Sequence, residues 1–231
     1  MDRPLESTAA EHPVRVEAGS VALDGDLRVP AGAAAIVLFA HGSGSSRYSP
    51  RNRYVASQLN EAGLATLLID LLTPSEEALD TRTGRLRFDI RLLAERLIAA
   101  TDWLARQPRT RDLRLGYFGA STGAAAALVA AAVRPRVVGA VVSRGGRPDL
   151  AGPALPRVQA PTLLIVGGAD VPVIGLNHQA REQLRAETHL AVVPGATHLF
   201  EEPGALEEVA RLAREWFAGR LAAGATDTEV A

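Results

Sequence analysis

The 231-residue chain contains no cysteine. That excludes disulfides, thiolate nucleophiles and cysteine-ligated metals. It contains no lysine either: all 25 basic residues are arginine. Schiff-base chemistry and a Ser-Lys pair are excluded with it. So is a P-loop, whose Gly-Lys-Ser/Thr places the ammonium on the phosphates. Excess charge is also missing. Against 26 acidic residues the net charge is -1, so there is no electrostatic case for nucleic acid or an anionic membrane as partner. No apolar run approaches the roughly 18 residues of a membrane span. The stretch Met1 to Pro13 is polar and holds no signal-peptide core. A cytoplasmic protein is the expectation.

What is present suits one α/β domain. The chain is 47% hydrophobic and long enough to bury a full core. No internal repeat or interdomain linker interrupts it. The expected organisation is an N-terminal extension over 1–13, a single domain over 14–222 and a frayed tail over 223–231. Apolar runs alternate with helical patterns throughout. Val14 to Val16 and Val21 to Val29 read as an antiparallel entry, with turn residues at Gly19 and Asp24-Gly25. Ala33 to Ala40, Ala65 to Asp70, Leu113 to Phe118, Val137 to Val142, Thr162 to Val166 and Leu190 to Val193 read as buried strands. Helical patterns lie between them. Leu71 to Arg85 reads as a polar loop able to move over a site. Strand–helix alternation predicts a mostly parallel twisted sheet with helices on both faces and no large lid.

Within this pattern Gly119-Ala120-Ser121-Thr122-Gly123 follows a strand and opens an alanine-rich helix. A serine between two glycines at such a turn has the form of a nucleophile elbow. Its backbone is strained and its Oγ stands above the sheet. Side chains at Gly119 and Gly123 would collide with the neighbouring strand and helix. The simpler alternative makes Ser121 a helix N-cap. A serine hydroxyl needs a base, and the base needs an orienting carboxylate. His198, in the loop after the last strand, is the candidate base. Asp170, after the strand before it, is the candidate acid, with an N-cap as its simpler role. Asp70 and Asp149 are weaker rivals, and His41 is expected to be buried. The candidate oxyanion donors are the Thr122 N–H, at a helix start, and the Ser43 N–H in His41-Gly42-Ser43-Gly44. Gly44, Arg47 and Arg144 are candidate substrate contacts, the arginines as clamps for an anion.

Together these stretches resemble the α/β-hydrolase superfamily, over nearly the whole chain from about Val14 to Leu221. Within it the chain is most similar to the small dienelactone-hydrolase-related group. Dienelactone hydrolases proper carry a cysteine nucleophile where Ser121 stands. The resemblance implies hydrolysis of small carboxylic esters through a Ser121 acyl-enzyme, with no metal or cofactor and an ester as the small-molecule partner. The same triad could serve an acyltransferase or a peptidase. A catalytically silent ligand-binding protein on the same fold is the reading from a different class.

Overall fold

A computed structural model describes residues 10–222. Residues 1–9 of the expected extension and the tail over 223–231 lie outside the described residues. Eight strands form one sheet: β1 (His12–Ala18), β2 (Val21–Arg28), β3 (Ala35–Ala40), β4 (Ala65–Ile69), β5 (Arg114–Ala120), β6 (Val138–Arg144), β7 (Thr162–Gly167) and β8 (Thr188–Val193). Among the described residues six α-helices accompany them, α1 (Pro50–Glu61), α2 (Pro74–Thr83), α3 (Ile90–Leu104), α4 (Thr122–Val133), α5 (Val171–Gln183) and α6 (Ala205–Leu221), and a 3₁₀ segment over Pro148–Arg157 joins β6 to β7. The spatial order is β1-β2-β4-β3-β5-β6-β7-β8. β1 and β2 form an antiparallel hairpin, β2 pairs antiparallel with β4, and β3 to β8 pair in parallel.

The central strands are apolar along their whole length because both faces are covered. In β3, Ile36, Leu38 and Ala40 join the layer under α3 and α4, while Ala35, Val37 and Phe39 join the layer under α1 and α6. The two-residue period of the strand makes that division. On the α1/α6 side Phe39 and Phe118 meet at 4.9 Å between ring centroids. α4 lies in the core with alanines at 124–127 buried, small enough to let the helix sit close to the sheet. Among the described residues no helix is long and apolar enough to cross a membrane.

Three local expectations change. Asp24-Gly25 is not a turn but the middle of β2, where Gly25 pairs with Val14 on one side and Ile69 on the other. β1 starts at His12, inside the stretch expected as an extension. Leu71 to Arg85 is not an open loop. It contains α2, whose N-terminus is closed by a reciprocal capping box between Thr73 and Glu76 and whose C-cap is Gly84 at φ 63°. Buried Asp80 then accepts from the Leu86 N–H at 2.6 Å and from Arg87 Nε at 2.5 Å. These bonds tie α2 to the 3₁₀ turn Leu86–Phe88.

Candidate active site

β5 ends at Ala120 and α4 begins at Thr122, so a single residue makes the turn. That residue, Ser121, sits at φ 49°, ψ -119°. A side chain other than glycine there costs of order 1–3 kcal/mol. The neighbours enforce the conformation. A Cβ on Gly119 would stand 2.4 Å from Ala124 Cα, and one on Gly123 would stand 2.3 Å from the Ala40 carbonyl oxygen. The Ser121 N–H donates to the Arg144 carbonyl on β6 at 3.3 Å, and the Ser121 carbonyl accepts from the Arg147 N–H at 3.1 Å. Ser121 occupies the N-cap position of α4, yet its side chain makes no capping bond. The hydroxyl is left for the cleft.

The segment after β3 presses against this turn. A Cβ on Gly42 would lie 3.0 Å from Ser121 Cβ. His41 is buried and acts as a strut. Its Nε2 accepts from the Leu71 N–H at 3.0 Å, and its Nδ1 donates to the Gly42 carbonyl at 2.9 Å. Those partners fix a neutral ring, and burial pushes its pKa down. His41 therefore shapes the loop that carries Ser43, and is in no state to take a proton from Ser121. Thr122, as the first residue of α4, has an N–H with no helical acceptor. Neither the Ser43 nor the Thr122 N–H finds a backbone acceptor among the described residues.

The loops after β7 and β8 are zipped together. Gly168 N–H donates to the Val193 carbonyl at 2.8 Å and Ala169 N–H to the Ala196 carbonyl at 2.9 Å. A Cβ on Gly167 would stand 2.3 Å from Ala196 O, so the two loops can lie this close only with glycine there. The result is that Asp170 Oδ2 accepts from His198 Nδ1 at 2.7 Å. Asp170 holds the N-cap position of α5 but makes no side-chain cap. With Nδ1–H engaged, the neutral His198 ring leaves Nε2 as its acceptor. No hydrogen bond joins Ser121 Oγ to His198 in the structure, although both line one cavity of about 150 Å³. In ligand-free sites such bonds are often long and tighten when substrate binds. Both rival acids are engaged elsewhere: Asp70 by Arg47 and Asp149 by Arg147.

The two arginine candidates separate. Arg47 is not free to clamp an anion. Asp70 accepts from its guanidinium and, at 2.7 Å, from its backbone N–H, while Asp26 lies 3.5 Å from its Nε. Arg144, expected just past a strand, is the last residue of β6 and lies in the cavity wall with Ser121 and His198. It is buried, and burial with Arg51 nearby pushes its pKa down to about 10. Gly44 turns the loop that carries Ser43 at φ 66°. Sequence reasoning missed Phe200. It is buried at φ 57°, two residues after His198, with its ring 5.9 Å from the Arg144 guanidinium. No local pattern signals a buried aromatic in the left-handed region. The N-terminal turn of α1, with Ser49, Arg51 and Asn52, was missed as well. It borders the cleft only because β3 and β5 are neighbours.

A one-residue strand–helix turn carrying serine, with histidine and aspartate delivered by the last two strands, defines an α/β hydrolase. The sequence agrees: residues 23–218 match the profile of the Dienelactone hydrolase family. The chain belongs to that family. The crystal structure of a dienelactone hydrolase from Anabaena variabilis is 65% identical, with a TM-score of 0.92, covering 94% of this chain and 100% of that one. Est1E from Butyrivibrio proteoclasticus shares the fold at 16% identity, with a TM-score of 0.76 over 90% of this chain and 98% of that one. Two Mycobacterium tuberculosis proteins, each named "Putative phosphoribosyl transferase", are 60% identical over 222 residues. Those 222 residues are 96% of this chain but 49% of each relative, so the chain spans about half their length.

Proposed function

We propose that the chain is a serine hydrolase of small carboxylic esters. Ser121 is the nucleophile, His198 the general base and acid, and Asp170 the residue that orients His198 and stabilises its charged form. One observation carries this reading. The two side chains at the N-cap positions of α4 and α5 leave those caps unmade, and one of them bonds to His198 at 2.7 Å instead. A purely structural Ser121 and Asp170 would cap their helices.

In the reaction Ser121 Oγ attacks the ester carbonyl carbon while its proton passes to His198 Nε2. The carbonyl oxygen becomes an oxyanion facing the Thr122 and Ser43 N–H groups, which need no reorganisation to receive it. Collapse breaks the acyl–oxygen bond, and the alcohol leaves with the proton from His198. Water then attacks the acyl-enzyme, again losing its proton to His198, and the acid departs as Ser121 is restored. Phosphoribosyl transfer, in the name of the longer relatives, does not need a serine nucleophile, and we do not extend that name to this chain.

Fluorophosphonate labelling tests the reading. The wild-type protein is expected to take the label and Ser121→Ala to refuse it. An unlabelled, folded wild type would remove the serine hydrolase from consideration. Turnover of a neutral small ester, with release of free acid rather than transfer to an added amine or alcohol, separates hydrolysis from acyl transfer.

A further inference from the structure

Ser143 on β6 and Asn177 on α5 are fully buried, and each keeps a side-chain oxygen unpaired among the described residues. Asn177 lies in the middle of α5, two turns after Asp170 at the N-cap. Its Nδ2 donates twice: within the helix to the Val173 carbonyl at 2.8 Å, and out of the helix to the Gly146 carbonyl at 3.1 Å. Local structure does not call for this residue. Asparagine is a weak helix former, and leucine or alanine would favour α5 more. Burying its Oδ1 without a donor lowers stability further. What asparagine supplies, and those residues cannot, is the bond to Gly146.

The loop that this bond reaches touches every member of the site. Arg144-Gly145-Gly146-Arg147 clamps Ser121 from both ends: the Arg144 carbonyl accepts from the Ser121 N–H at 3.3 Å, and the Arg147 N–H donates to the Ser121 carbonyl at 3.1 Å. Between those bonds Gly145, at φ 51°, lies against His198. A Cβ there would stand 3.0 Å from the His198 carbonyl oxygen and 3.6 Å from its Cε1. A Cβ on Gly146 would stand 1.9 Å from Ser143 Oγ, so the loop cannot be stiffened by a side chain of its own at that point. Among the described residues the Asn177 bond is the one side-chain hydrogen bond between α5 and this loop. We propose that Asn177 is a positioning residue that, through Gly146, fixes the distance between the Ser121 turn and the Asp170–His198 pair. The proposal rests on the serine hydrolase reading above. Asp170 and His198 travel together on the zipped loops after β7 and β8, and Ser121 belongs to the turn between β5 and α4. The two units meet at residues 144–147. A proton transfer between them depends on their spacing, and a misplacement of about 1 Å costs on the order of 100-fold in rate.

Asn177→Leu and Asn177→Thr separate positioning from folding. Leucine keeps the volume and makes neither bond. Threonine can return its hydroxyl to the Val173 carbonyl one turn back, but is too short to reach Gly146. On a neutral small ester both are expected to lower kcat roughly 10- to 100-fold and to leave KM within about twofold. The rate of fluorophosphonate labelling is expected to fall in parallel. The acid limb of kcat/KM against pH is expected to stay in place, because the Asp170–His198 bond does not run through Asn177. A residue that only supports the fold would lower the Tm and leave kcat, measured well below that Tm, as it was. Full kcat in a folded Asn177→Thr therefore overturns the proposal. So does a fall in kcat accompanied by a displaced acid limb, which would place the effect on the Asp170–His198 pair itself. Failure of both variants to fold overturns it as well, because Asn177 would then be a residue of the core. Labelling of the wild type keeps the two readings apart. A labelled wild type whose variants keep their rate remains a serine hydrolase without this role for Asn177, whereas an unlabelled, folded wild type removes the hydrolase reading.

Discussion

Arg47 and Arg144 flank the same serine and have opposite surroundings. Arg47 follows the loop that carries Ser43 and is surrounded by counter-charge: Asp70 and Asp26 on one side and the Tyr48 ring 4.2 Å away on the other. Arg144 ends β6 on the His198 side, beside Asn52, the Phe200 ring and a second cation, Arg51. The first flank is a closed ion network whose function is complete without a ligand. The second is an open account of unmet donors. An arginine near a nucleophile is therefore informative through what already neutralises it, not through its position alone. The same lesson covers the two histidines. His41 has both ring nitrogens engaged by backbone, so it braces a loop. His198 has one nitrogen on Asp170 and one free.

Substitutions that erase the difference between the two flanks should do so with graded effects. The largest falls on the His198 side. His198→Ala is expected to lower kcat on a neutral ester by roughly 10⁴-fold or more, and Asp170→Asn by a comparable factor, because the ring loses its orientation and its charge stabilisation. Steady-state rates with an intact thermal unfolding curve check this. A loss under tenfold for both would mean that the base lies elsewhere.

Next comes the contact that holds the two flanks against the turn. In Gly123→Ala the new Cβ would meet Ala40 O at 2.3 Å and His41 O at 2.5 Å. Backbone cannot yield cheaply there, so destabilisation above about 4 kcal/mol is expected in urea unfolding. A fully stable Gly123→Ala would show that α4 can shift away from β3.

Smaller effects belong to the closed flank. His41→Gln should cost about 2–3 kcal/mol through its two buried hydrogen bonds. It should also change the acid limb of stability. The folded-state pKa of His41 is lowered from its ordinary 6.5. The unfolded chain therefore binds the proton first as pH falls. The neutral ring contributes no penalty above that value. Below it wild-type stability declines, and the decline levels off once pH passes under the folded-state pKa. The difference between wild type and His41→Gln in Tm against pH isolates this term; parallel profiles would count against a neutral, buried His41. The smallest effect is expected at Arg47. Arg47→Met should lower stability by about 1–2 kcal/mol, since its pairs with Asp70 and Asp26 are only partly shielded from water. It should leave kcat/KM on a neutral ester as it was, because its guanidinium is already held by Asp70 and Asp26.

Much of this was legible along the chain. Strict strand–helix alternation, the serine between Gly119 and Gly123, and the order Ser121, Asp170, His198 pointed to the sheet, the elbow and the partners. These signals are local: a period of two or 3.6 residues, or a turn that only glycine fits. Some local signals were present but unread. Thr73-Pro74 with Glu76 is a helix start, and it turns the expected loop over Leu71 to Arg85 into α2. The Asp24-Gly25 pair looks like a turn, yet a cross-strand neighbour on each side keeps it in β2.

The sequence by itself determined the layered fold, the serine that stands at the strand–helix turn and the exclusion of thiol, lysine and P-loop chemistry, because those follow from residue type and short-range periodicity. The tertiary structure alone decided which arginine was spent on a counter-ion, which histidine was locked by backbone, and that Asp170 would abandon its helix cap for His198. Each of those outcomes depends on which loops the parallel strand order places side by side. Arg47 meets Asp70 across 23 residues, Asp170 meets His198 across 28, and Arg144 meets Asn52 across 92. Charge and hydrogen bonding act over a few ångströms in space, and separation along the chain does not encode that distance.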